Sequence, residues 1–103
     1  MDVQEKTINL DDTDALSLLG FRDTNLQIIE NKFNSNFTVR GSNIILHGDP
    51  IEIKIIEKVF EELKYIINKT GEITSQEIST VLELVGDKRQ RGDKERKILN
   101  EDK

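Results

Sequence analysis

Cysteine is absent from the 103 residues, which excludes disulfides, thiolate metal sites, iron–sulfur clusters and cysteine nucleophiles. A chain without such staples suits a reducing compartment, and the expected location is cytoplasmic. Histidine occurs once, at position 47. A catalytic dyad or a metal centre built on His47 would need partners that the sequence does not display, so it is expected on the sheet face opposite Ile44 and Leu46. An excess of cations is also missing: 15 Lys and Arg stand against 20 Asp and Glu, a formal charge of −5, which opposes strong attraction to nucleic acid. No stretch reaches the roughly 18 apolar residues of a membrane helix. The start Met1-Asp2-Val3-Gln4-Glu5 lacks a basic segment followed by an apolar run, so neither membrane insertion nor export is expected. Nowhere does Gly-x4-Gly-Lys-Ser/Thr occur, so the backbone cradle for phosphates and the magnesium-binding hydroxyl of a P-loop are lacking. Ser, Asp and Glu show no catalytic spacing, and the chain is read as a non-enzyme with no cofactor or metal of its own.

What is present is a set of short, well-punctuated amphipathic segments, enough for one domain. Thr7-Ile8-Asn9-Leu10 alternates like a strand until Asp11-Asp12 breaks it. Thr13 or Asp12 caps a helix of barely two turns carrying Ala15, Leu16, Leu18 and Leu19, which Gly20 ends by taking a positive φ. Thr24-Asn25-Leu26-Gln27 matches a capping box, and the helix it opens carries Leu26, Ile29 and Phe33 on one face until Asn34-Ser35.

Asn36–Arg40 and Asn43–His47 read as a hairpin closed by Gly41-Ser42. Asp49 as N-cap, Pro50 at the first helical position and Glu52 in the first turn mark a long helix to about Asn68. Its apolar stripe is Ile56, Val59, Phe60, Leu63, Ile66 and Ile67, and Gly71 stops it. Thr74-Ser75-Gln76-Glu77 is a second capping box, opening a last helix with Ile78, Val81, Leu82 and Val85 inward and Gly86 at its end. Beyond it, residues 88–97 hold six Lys and Arg against two acids. Residues 1–86 are therefore read as the domain and 87–103 as a flexible charged tail or linker.

The order strand, helix, helix, strand, strand, helix, with an added C-terminal helix, predicts an α+β fold with a three-stranded sheet and helices on one face. It resembles a type I KH-like domain, in which the loop between the first two helices clamps the phosphates of single-stranded nucleic acid. Here that loop is Gly20-Phe21-Arg22-Asp23. Ala15-Leu16-Ser17-Leu18-Leu19-Gly20-Phe21-Arg22-Asp23-Thr24-Asn25-Leu26, Val39-Arg40-Gly41-Ser42, Ile45-Leu46-His47-Gly48-Asp49 and Gly71-Glu72-Ile73-Thr74 carry a narrower resemblance. They resemble the N-terminal domain of the PhoH-like, phosphate starvation-inducible ATPases. The resemblance implies a P-loop ATPase domain, with its ATP and magnesium, outside this chain, and a domain that presents or binds single-stranded RNA for that motor.

Five residues are the candidates for RNA binding. Gly20 would allow close backbone approach while capping the first helix, and Arg22 is the foremost phosphate contact. Phe21 either stacks on a base or covers the edge of the core. Lys32 and Arg40 would extend the same edge from the second helix and the hairpin. Asp23 departs from the basic, doubly glycine-flanked KH loop and would repel phosphate. The rival expectation is a protein-interaction module that docks on the ATPase domain, or on its neighbours in an oligomer of the full-length protein, without touching RNA.

Overall fold

A computed structural model describes residues 3–86. The first strand, β1, runs Gln4–Asn9, and a short helix α1 follows at Ala15–Leu19. A single 3₁₀ turn at Phe21–Asp23 leads into α2, Thr24–Glu30. The hairpin strands are β2, Asn36–Arg40, and β3, Asn43–Gly48. The long helix α3 spans Pro50–Thr70, and α4, Ser75–Val81, continues into one π-helical turn at Leu82–Gly86. The tail expected over 87–103 lies outside the described residues.

The sheet is antiparallel throughout, in the order β1-β3-β2. Ile8 faces Ile44, and Lys6 and Phe37 flank Leu46 from either side, so these residues share one face. Ile8, Ile44 and Leu46 are buried on that face, whereas Thr7, Thr38 and His47 on the other are exposed. Alternation of side chains along each strand produces this division. Helix α3 packs on β1 and β3. It buries Ile53, Ile56, Val59, Phe60, Leu63 and Ile67 in one cluster with Leu18, Leu19, Leu26, Ile29 and Ile78.

The α3 boundaries follow the local chemistry. Asp49 accepts from the backbone N–H groups of Ile51 and Glu52, at 3.0 and 3.1 Å. Gly71 ends the helix at φ 88, with its N–H bonded to the Ile67 carbonyl. Thr74 and Glu77 form the expected reciprocal capping box. Three expectations are corrected. Strand β1 begins at Gln4 rather than Thr7, because Lys6 pairs with Glu57 at 3.6 Å and Glu5 with His47 at 2.9 Å, which accommodates charge in a strand. The cap of α1 is Asp14, whose carboxylate takes both the N–H and the hydroxyl of Ser17. The third correction, at the start of α2, belongs to the candidate site.

Candidate functional site

Between α1 and α2 the chain reverses within four residues. Gly20 bonds its N–H back to the Leu16 carbonyl and takes φ 85, ψ 167, a region that essentially only glycine enters. Arg22 and Asp23 then both sit in the left-handed region, at φ 55 and φ 58. Asp23 is consequently the N-cap of α2, yet its side chain makes no capping hydrogen bond. Thr24 is already helical, so the Thr24–Gln27 capping box does not form. A cap residue needs extended backbone to turn its side chain onto the N–H groups ahead of it, and Thr24 at φ −63, ψ −36 lacks it.

The turn is held from beneath by Asn25, a residue that periodicity did not single out. It is buried, and its Nδ2 donates to the Leu18 carbonyl at 3.2 Å and reaches the Ser17 carbonyl at 3.5 Å. These are orphan acceptors at the end of α1, so one carboxamide closes that helix while belonging to the next. A polar side chain one residue into a predicted capping box was the available signal.

What the turn exposes is an aromatic and a cation. Phe21 is 80% exposed, so it does not cover the core edge. The Arg22 guanidinium lies 5.3 Å from the centre of the Phe21 ring, within cation–π range. Leu16, one turn before Gly20, is 83% exposed. Gly20, Phe21 and Arg22 thus form one local unit.

Lys32 and Arg40 stand apart from it. Lys32 follows the C-terminal end of α2, while Arg22 precedes its N-terminal end, and seven helical residues span about 10 Å. Lys32 lines a groove of about 280 Å³ between α2 and the α4 segment, with Ile28, Asn31, Leu82 and Glu83. Arg40 ends β2 opposite Asn43, on the sheet face that carries His47. Among the described residues no cluster of three or more His, Asp or Glu could hold a metal ion. No described helix is long and apolar enough to cross a membrane.

An acidic rim surrounds the junction of β1, α1 and the hairpin turn. Asp11 is held below its ordinary range first by the Ser42 hydroxyl and then by Asn9. Asp12 is lowered first by a hydrogen bond from Lys64, whose Nζ stands 3.2 Å away. Asp14 is lowered by the hydroxyl and backbone N–H of Ser17. These carboxylates remain charged at neutral pH beside the short helix that leads into the turn.

The structure defines a small α+β domain whose most exposed aromatic and an adjoining cation share one interhelical turn. Its relatives are PhoH-like proteins. The proteins of that name from Mycobacterium bovis and Mycobacterium tuberculosis are each 32% identical over 73 residues, 70% of this chain and 21% of theirs. The PhoH-like protein of Bacillus subtilis is 32% identical over 65 residues, 63% of this chain and 20% of its own. Over this stretch the chain is homologous to PhoH-like proteins, and the match spans about a fifth of their length. No protein-family model and no solved structure matches it.

Proposed function

We propose that this chain is the N-terminal KH-like domain of a PhoH-like ATPase, a non-catalytic part that grips single-stranded RNA weakly for a motor lying elsewhere in the protein. The observation that carries the reading is the Gly20–Asp23 turn, which sets an exposed ring and an exposed guanidinium side by side between two helices. Bases stack on aromatic and guanidinium faces, and Arg22 supplies a charge for the backbone phosphate. The element order strand, helix, helix, strand, strand, helix supports the KH comparison. ATP and magnesium belong in this reading to the motor, since no P-loop occurs in the chain.

With few cations engaged and a net negative domain around them, the dissociation constant should be no tighter than roughly 10⁻⁴ to 10⁻⁶ M. The affinity should fall with salt at a slope of about −0.7 per phosphate neutralised. Titration of a labelled single-stranded RNA with the full 103-residue chain tests this, alongside Phe21→Ala and Arg22→Glu. Both substitutions should abolish most binding, since both side chains are exposed and the fold does not depend on them. Absence of binding at low salt, or binding that neither substitution alters, sinks the RNA reading.

A second reading rests on Leu16 and Phe21, two large apolar side chains exposed on either side of Gly20. In it the same end of the domain docks on the ATPase domain. Leu16→Glu would then weaken association with that domain while leaving RNA titrations of the full-length protein unchanged.

A further inference from the structure

Strand β2 is an edge of the sheet, paired with β3 alone. The hairpin loop is two residues long, and Gly41 at its first position has φ 61, the pattern of a type II′ turn. In such a hairpin the flanking pair, Arg40 and Asn43, exchanges both backbone hydrogen bonds, and bonded pairs then alternate along the ladder. Thr38–Ile45 and Asn36–His47 are the next bonded pairs in the register. The N–H and C=O groups of Phe37 and Val39 therefore point away from β3, toward the open edge. No helix packs extensively on β2, and four of its five residues are exposed.

We infer that β2 pairs antiparallel with β2 of a second copy of this chain, about a two-fold axis at Thr38, joining two sheets into one of six strands. The register is fixed by the sequence of the strand itself. Phe37 of each copy falls opposite Val39 of the other, so the outward N–H and C=O groups of both residues meet in four hydrogen bonds. The Phe37 and Val39 side chains share one face, giving an aromatic and a β-branched residue directly opposite each other, a favourable cross-strand pair. On the other face Arg40 lies opposite Asn36 and Thr38 opposite itself, so no like charges meet.

The second edge is guarded. Strand β1 carries Glu5 and Lys6, and charge along an edge is a common defence against pairing. A two-fold axis at either of those residues sets like charges face to face, and one at Thr7 sets Lys6 against Ile8. The single charge of β2 stands at its end.

Absence of native cysteine makes the test direct. In the inferred pairing Thr38 meets its counterpart in a non-bonded pair, with Cα atoms about 4.5 Å apart, within disulfide reach. Thr7 is the control, since it lies on the same sheet face, opposite the same Ile45, but on the guarded edge. The full chain bearing Thr38→Cys should become a disulfide-linked dimer under mild oxidation at least tenfold faster than the Thr7→Cys chain. By light scattering the unmodified chain should rise from 11.8 kDa toward twice that mass with concentration. Thr38→Lys, on an exposed position, should hold it at monomer mass with an unchanged circular dichroism spectrum. Equal cross-linking rates for the two cysteine variants, or a monomer mass maintained up to about 1 mM, overturns the inference.

Discussion

The Asn25 side chain occupies the space that a β-carbon on Gly20 would need: its Cγ stands 2.8 Å, and its Nδ2 2.9 Å, from that position. The missing side chain at 20 and the buried carboxamide at 25 are one device. Gly20→Ala should therefore cost roughly 2–3 kcal/mol, from the disallowed backbone region together with displacement of Asn25. Asn25→Ala should cost about 1–3 kcal/mol by leaving the Leu18 carbonyl without its partner. Because both substitutions break the same contact, the double variant should be more stable than the sum of the single losses. Chemical denaturation of the four chains measures this coupling, and strict additivity would contradict it.

A similar exclusion operates at the other end of the sheet. The Glu52 carboxylate accepts the Asn34 N–H at 3.2 Å and the Ser35 hydroxyl at 2.5 Å, tying the chain before β2 to the first turn of α3. A β-carbon on Gly48 would overlap the Ser35 hydroxyl. Glu52→Ala should lower the unfolding free energy by about 1–2 kcal/mol, since both donors lose an ionised acceptor. Gly48→Ala should be at least as damaging, as it forces Ser35 off Glu52. A thermal melt of either variant indistinguishable from the parent would remove Glu52 from the fold's supports.

How legible these features were depends on how local their chemistry is. Asp49, Pro50, Gly71 and the Thr74–Glu77 pair act within one turn of chain, and each helix boundary they mark lies where their residue types place it. The Gly41-Ser42 turn, with its alternating flanks, is equally local. Thr24–Gln27 shows the same letters as a capping box but fails. Arg22 and Asp23 enter the left-handed region, and that backbone choice is dictated by how α1 and α2 meet, not by residues 24–27. Glu5 and Lys6 hid the start of β1 because their side-chain partners, His47 and Glu57, lie about 40 and 50 residues away. Asn25 was hidden for the same reason, its role being set by carbonyls of a different helix. Of the candidate RNA contacts, Gly20, Phe21 and Arg22 were contiguous in sequence and remain so in space. Lys32 and Arg40 depended on the tertiary path, and the structure sends them to other surfaces.

The left-handed pair offers a way to separate stability from binding. Arg22 and Asp23 hold backbone angles that cost L-residues roughly 1 kcal/mol each, and the Asp23 carboxylate makes no cap bond in return. Glycine removes that strain while adding about 0.5–1 kcal/mol of unfolded-state entropy. Arg22→Gly and Asp23→Gly should accordingly leave the melting temperature within a few degrees of the parent, in contrast with Gly20→Ala. If RNA is held as proposed, Arg22→Gly loses affinity and Asp23→Gly gains it, because only the second removes a negative charge beside the phosphate. Affinity changes in the same direction for both would place the nucleic acid elsewhere.

Acid should loosen the domain from the α1 side. Asp11, Asp12 and Asp14 are all depressed below the ordinary aspartate value of 3.8, by Ser42 and Asn9, by Lys64, and by Ser17 respectively. A carboxyl whose folded value lies below its unfolded one contributes stability that is fully present above the unfolded value. That stability is lost as pH falls through the folded one. The window is therefore below 3.8, with no contribution to pH dependence at neutrality from these groups. All three are solvent-exposed, so each effect is small and screened by salt. Melting temperatures recorded between pH 6 and pH 2 should decline chiefly below about pH 4. Asp14→Asn should be less stable at neutral pH and show a shallower acid decline, because it no longer has a proton to take up. An Asp14→Asn chain whose acid decline matched the parent's would show that the Ser17 contacts do not hold that carboxylate in its charged form.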